Sequence, residues 1–225
     1  MSELTIRGLL ASALAVLAAS LVAADAAGAP ANLLATSDFD FYVLTLSWSP
    51  GFCDTGGAVK SPDQCAAGSG EGFVVHGLWP DNLNRADPED CGEPGRISSA
   101  ALAETRGVYP DEGLARYEYV KHGVCTGLSP ENYFAAVKYA RDQFVVPDAL
   151  KAPHEKISTS PDRIESDFIA ANPNLTADNM AVTCGGGELV DVRFCISKDL
   201  SAFVVCPKVS GHTCHSSSIS VAPLR

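Results

Sequence analysis

Eight cysteines in a chain of 225 residues set the tightest limit on what it can fold into. All of them, Cys53, Cys65, Cys91, Cys125, Cys184, Cys195, Cys206 and Cys214, follow an uncharged apolar run from Leu9 to Ala24. That run lies behind Arg7 and leads into small residues through Ala29, the layout of a secretory signal peptide cleaved after Ala24 or Ala26. Its sixteen residues fall short of a membrane-spanning helix, which needs roughly 20. An even cysteine count in an exported chain is most simply four disulfides, which places the protein in the periplasm or outside the cell. Spacing alone leaves their pairing open.

The organisation expected is a signal peptide over 1–26, a lead-in over 27–37, one domain over 38–215 and a loose tail over 216–225. Without the signal the chain can bury a single sizeable core. Tyr42, Leu44, Leu46 and Trp48 alternate with less apolar residues and predict a strand over Phe39 to Trp48. A second strand is predicted from Gly72 to His76, ending at Gly77 and Pro80, followed by a polar loop from Asp81 to Gly95. Helices are expected from Leu114 to His122, and after the N-cap signals Ser129-Pro130 and Ser160-Pro161. Strand patterns return at Met180–Cys184, Leu189–Ile196 and Ala202–Cys206. Helices clustered between strand regions predict an α+β fold, a central antiparallel sheet with several helices packed around it.

The net charge is −11 and the sequence pI about 4.8. Such a chain repels nucleic acid at long range, which argues against a module that coats RNA or DNA and leaves a hydrolytic enzyme open. No second apolar run of spanning length follows the signal, so a soluble mature protein with no membrane contact is expected.

Two segments carry chemistry that the fold does not require. The first is FVVHGLWP, Phe73 to Pro80; the second is RYEYVKHGVC, Arg116 to Cys125. On a helix, residues three and four apart share a face, so Glu118, Lys121 and His122 are expected to project together. A Glu118–His122 hydrogen bond would orient the ring and favour its protonated form, with Lys121 beside it to hold a negative oxygen. The plain alternative is a solvated ion pair on a surface helix. His76 sits on an apolar strand, where a lone histidine is ordinarily a satisfied core residue. Yet Gly77 permits close backbone approach, and Trp79 presents a large ring at a strand end.

The segment HGLWP, together with a helix reading E-x-x-K-H-G-x-C, resembles the two active-site segments of the ribonuclease T2 family, in the form of its bacterial ribonuclease I-like branch. FDFYVLTLSWSPGFC is similar to that family's opening strand, and VTC, ELVDVRFCISKDL and FVVCP to its closing strands. The resemblance implies an endoribonuclease acting on single-stranded RNA with little base specificity. The RNA 2′-hydroxyl attacks its own phosphorus, giving a 2′,3′-cyclic phosphate and a free 5′-hydroxyl. Matching positions imply His122 as base, His76 as acid, and Glu118 with Lys121 as stabilisers of the phosphorane. Trp79 would stack a base, Asp81 would contact one, and Tyr117 stands where many members carry a phosphate-binding histidine. Weaker phosphate binding is therefore expected. The resemblance also implies the pairs Cys91–Cys125, Cys184–Cys214, Cys195–Cys206 and Cys53–Cys65.

RNA is the expected partner, and DNA, lacking the 2′-hydroxyl, is not expected to be cut. A monomer without cofactor or metal is expected. The clusters His122-x-x-Cys125 and His212-Thr-Cys214-His215 could ligate a metal, but in an oxidising compartment their cysteines are read as disulfide-forming. Two rival readings follow: a metal-dependent secreted phosphodiesterase using those clusters, and a catalytically idle member of the fold that binds or signals.

Overall fold

β1 (Phe41–Trp48) is the strand around which everything else is arranged, and all eight of its residues are buried. The computed structural model describes residues 28–225; the expected signal peptide lies outside the described residues. β1 pairs antiparallel with β2 (Phe73–Asp81) on one side and β5 (Glu188–Ser197) on the other, and β4 (Met180–Gly185) pairs with β5 in turn. β3 (Ile157–Thr159) and β6 (Ile219–Val221) complete a sheet in the order β2-β1-β5-β6-β3. The sheet is antiparallel apart from a single parallel pairing, Glu188 with Ser220, between β5 and β6.

Even-numbered β1 residues Tyr42, Leu44, Leu46 and Trp48 enter the main core with Met180, Val182, Val192 and Phe194. Three helices cover that face: α3 (Glu112–Lys121), α4 (Pro130–Asp142) and α6 (Pro161–Ala171). Short helices α1 (Ser49–Asp54), α2 (Ser99–Ala103), α5 (Asp148–Lys151) and α7 (Pro207–Ser210) fill the periphery. The alternation predicted for β1 is present, but its other face is also covered. There Phe41 and Val43 meet Ala181, Cys195, Cys206 and Val209 in a second apolar cluster. Fully burying such a side chain is worth roughly 1.5–3 kcal/mol.

Helix starts follow their caps. Ser129 and Ser160 each accept a backbone N–H from three residues on, and each is followed by proline in the first turn. Asp111 does the same for α3, accepting from Leu114, so that helix begins two residues earlier than its apolar pattern predicts. The four disulfides are Cys53–Cys65, Cys91–Cys125, Cys184–Cys214 and Cys195–Cys206, the pairs implied by the family resemblance.

Three expectations need correction. β2 does not end at Gly77: it runs to Asp81 and tolerates Pro80 because it is an edge strand. Ala202–Cys206 forms only an isolated bridge, Phe203 to Ile196, because Leu200, at φ 59°, turns the chain tightly back on β5. The segment 216–225 is not loose. It supplies β6, its Ala222 carbonyl accepts the Trp48 indole N–H at 3.1 Å, and Arg225 pairs with Asp54.

Candidate active site

His76 owes its aim to an irregularity in β2. Thr45 pairs with Gly77 and Leu46 with Val75, so His76 is the extra residue of a β-bulge. A bulge breaks strict alternation and turns a side chain out of register. The ring turns toward α3, where His76 Nε2 lies 3.7 Å from Glu118 Oε1. Trp79 donates its indole N–H to Glu118 Oε2 at 2.6 Å. Gly77 leaves room for that bond: a Cβ there would lie 2.2 Å from Trp79 Nε1 and 2.3 Å from Glu118 Oε2.

Glu118 sits in the inward stripe of α3 with Ala115 and Tyr119 and is 1% exposed. Two buried tyrosines fix the elements around it. Tyr119 donates to the Leu128 carbonyl at 3.1 Å, and Tyr133 of α4 donates to the Leu78 carbonyl of β2 at 3.0 Å. The Cys91–Cys125 disulfide ties the segment just beyond His122 to the loop after β2.

The expected side-chain hydrogen bond between Glu118 and His122 does not form; the pair is joined only through the backbone, His122 N–H donating to the Glu118 carbonyl at 2.9 Å. α3 ends at Lys121, and His122 is its C-cap with φ −121°, which takes the ring off the helical face. His122 lies instead against Trp79, ring centroids 5.5 Å apart, while His76 approaches the same indole edge-on at 5.3 Å. The two imidazoles thus share one tryptophan, with the Glu118 carboxyl hydrogen-bonded to it. Lys121 also departs from expectation: its ammonium meets Glu89 at 3.0 Å and Asp90 at 3.7 Å rather than joining Glu118.

Burial sets the electrostatics. It pushes the His122 pKa down to about 4, helped by the Lys121 charge, against the pull of Glu89 and Asp90. It lowers His76 as well, opposed by Asp191 and reinforced by Arg193 and Lys60. It raises Glu118 to about 7, against the Trp79 hydrogen bond and Lys121. At mildly acidic pH this cluster offers a neutral imidazole at His122, a protonatable one at His76, and an uncharged carboxyl beside His76. Such a set can serve as an acid–base pair with a hydrogen-bond donor next to it.

The remaining expected site residues are divided. Tyr117 is 56% exposed and lines a groove of about 570 Å³ with His76, Ser47, Lys60, Gln64 and Phe52. Asp81 is not brought to the histidines. It lies five residues beyond His76 on β2, roughly 16 Å at about 3.3 Å per residue. There it accepts from the Asn82 backbone N–H at 2.6 Å and pairs with Lys208 at 3.4 Å. Burial and neighbouring Asp87 raise its pKa to about 7. Trp79 is committed to the frame of the site: its N–H is taken by Glu118 and the Arg193 guanidinium lies 5.7 Å from its ring centroid.

Several neighbours of the site escaped the sequence reading: Ser47, Asp191, Arg193, Lys60, Glu89 and Asp90. A signal for three of them, Ser47, Asp191 and Arg193, existed. Thr45 and Ser47 on β1 face Arg193 and Asp191 on β5, so the polar residues of two otherwise apolar strands fall in step at period two. Both candidate metal clusters lose their cysteines to disulfides, Cys125 to Cys91 and Cys214 to Cys184.

The family model described as Ribonuclease T2 family matches residues 39–206. A ribonuclease of Aeromonas hydrophila is 41% identical over 96 residues, covering 43% of this chain and 42% of that one. A probable ribonuclease of Haemophilus influenzae is 39% identical over 136 residues, 55% of this chain and 48% of that one. The alignments thus span just under half the length of these bacterial relatives. Among solved structures, the self-incompatibility-associated SF11-RNase of Nicotiana alata superposes with a TM-score of 0.63 at 22% identity, covering 84% of this chain and 100% of that one.

Proposed function

Because the chain belongs to the Ribonuclease T2 family, we propose that it is an endoribonuclease that cleaves single-stranded RNA by transesterification, without a metal. The observation that carries this reading is the shared tryptophan: His76 and His122 both pack on Trp79, whose N–H holds the Glu118 carboxyl beside His76. His122, neutral above about pH 4, takes the proton of the 2′-hydroxyl. The 2′-oxygen attacks phosphorus, and His76 delivers a proton to the departing 5′-oxygen. Glu118, protonated below about pH 7, donates a hydrogen bond to a non-bridging oxygen of the phosphorane. Lys121 adds positive charge once the phosphate draws it from Glu89 and Asp90. The products are a 2′,3′-cyclic phosphate and a free 5′-hydroxyl. Base preference is weak in this reading, because Asp81 is tied to Lys208 and away from the histidines.

Four disulfides and the apolar leader over 1–26 support export to the periplasm or the exterior. Incubating purified protein with RNA and EDTA from pH 4 to 8 tests the reaction. Cleavage that leaves 2′,3′-cyclic phosphate ends is expected, with DNA intact. Cleavage only when a divalent ion is restored would replace this reading by a metal-dependent phosphodiesterase. No cleavage at any pH would leave the idle, binding-only member of the fold.

A further inference from the structure

We propose that Asp191, acting through Ser47, is the positioning residue that holds His76 as the proton donor. The inference rests on the reading of His76 as general acid. Ser47 Oγ lies 2.5 Å from Asp191 Oδ1, a short charge-assisted bond in which the hydroxyl donates. Ser47 is 5% exposed and Asp191 6%, so neither is served by bulk water. The same oxygen is 3.4 Å from His76 Nδ1. A serine hydroxyl has one proton to give, and Asp191 takes it; toward His76 the oxygen can only accept. The Nδ1 position therefore carries a hydrogen, and Nε2, the nitrogen facing Glu118, is the one that gains and gives the catalytic proton. The contact is long, as catalytic contacts often are before substrate closes on them.

Asp191 is itself anchored. Its backbone N–H donates to Thr183 Oγ1 at 3.1 Å, that hydroxyl contacts the Asp191 carboxylate at 3.4 Å, and Arg193 lies 3.6 Å from its second oxygen. The carboxylate so placed favours the charged imidazolium. The other groups facing His76 are Arg193 on β5, Glu118 on α3, His122 just past it and Lys60 in the loop closed by Cys53–Cys65. Arg193, Lys60 and protonated His122 act against the imidazolium; Asp191 is the buried carboxylate on the Nδ1 side that acts for it.

Two variants break the chain at different links, Asp191→Asn and Ser47→Ala, and Ser47→Thr restores the hydroxyl. Proton NMR of the full chain follows the His76 ring through pH. Kinetics compare a dinucleotide, whose 5′-oxygen needs a proton, with a nucleoside 3′-(4-nitrophenyl phosphate), whose phenolate leaves unaided. In both broken variants His76 is expected to titrate at lower pH. Their kcat on the dinucleotide should fall roughly 10- to 100-fold, within the ~10²–10⁴-fold a positioned acid supplies. Their kcat on the aryl ester should stay near wild type, and Ser47→Thr should recover the dinucleotide rate. An unmoved His76 titration in Ser47→Ala, or equal losses on both substrates, overturns the relay. A wild-type protein that cleaves neither substrate defeats the enzymatic reading instead, and the NMR titration still decides whether Asp191 acts on His76.

Discussion

At the scale of single residues, the site is organised by where burial moves protons. His122, held down to about pH 4, must be neutral to act as base, so activity should fail as pH drops through that value. His76, lowered from its ordinary 6.5, must be protonated to act as acid, so activity should fall again before pH rises to 6.5. The kcat/KM profile of the free enzyme is therefore expected to be bell-shaped with an acidic optimum; a maximum above pH 7 would contradict the assignment. Glu118 has a consequence for stability. Its pKa rises on folding from 4.5 to about 7, so its contribution is fully present below pH 4.5 and is lost as pH rises through 7. Glu118→Gln, neutral at every pH, should raise the melting temperature by several degrees at pH 7.5 and leave it unchanged at pH 4. The difference corresponds to on the order of 3 kcal/mol at about 1.4 kcal/mol per pKa unit. Thermal melts at both pH values check it. The sequence reading singled out Glu118 by type and spacing, but could not see that Trp79 would be its partner. The i, i+4 rule presumes a helix that continues, and this one ends one residue too soon.

At the scale of elements, the bulge in β2 makes a strand histidine into a site residue. A run of Phe73, Val74 and Val75 announces the strand, but nothing in it announces that Leu46 will skip from His76 to Val75. Gly77 is the part of this device that can be tested. Gly77→Ala places a methyl group on the Trp79–Glu118 hydrogen bond, so either that bond or the strand must move. Overpacking of this kind costs about 1–3 kcal/mol. A lowered melting temperature with a disproportionate loss of kcat is expected; full activity would show the bond to be incidental. The loop carrying Cys91 is the second element with a kinetic signature. Glu89 and Asp90 hold the Lys121 ammonium, and the Asp90 backbone N–H donates to the Lys121 carbonyl at 2.8 Å, so in the proposed mechanism phosphate competes with this acidic turn. Glu89→Gln should lower KM for RNA with little change in kcat, measured by initial rates at fixed ionic strength; an unchanged KM would show that Lys121 does not meet the substrate. Elements with strong local signals, the capped helices and β1, were legible. β6 was not, because three residues far from their partners carry no pattern until the sheet edge beside them exists.

At the scale of the whole molecule, charge and site pull in opposite directions. The chain carries −11 while the substrate proposed for it is a polyanion, so the long-range field would oppose encounter even where a local site takes one phosphate. A basic nucleic-acid binder loses affinity as salt rises, through counterion release. Here added salt screens a repulsion, over a distance of about 10 Å at 0.1 M. A dinucleotide places one phosphate at the site and feels this field weakly; a long RNA brings charges across the whole acidic surface. The ratio of KM for polymer to KM for dinucleotide is therefore expected to fall as salt rises at pH 7. It should fall further as pH drops toward 5, where carboxylates begin to take up protons. Initial-rate measurements on both substrates across salt and pH decide this. A ratio that climbs with salt would mean that an extended basic track guides the polymer, and that Lys60 and Lys121 are part of a larger binding path than the site alone. A falling ratio would mean that the protein works by turnover at one local site, and that an acidic medium is built into how it meets RNA.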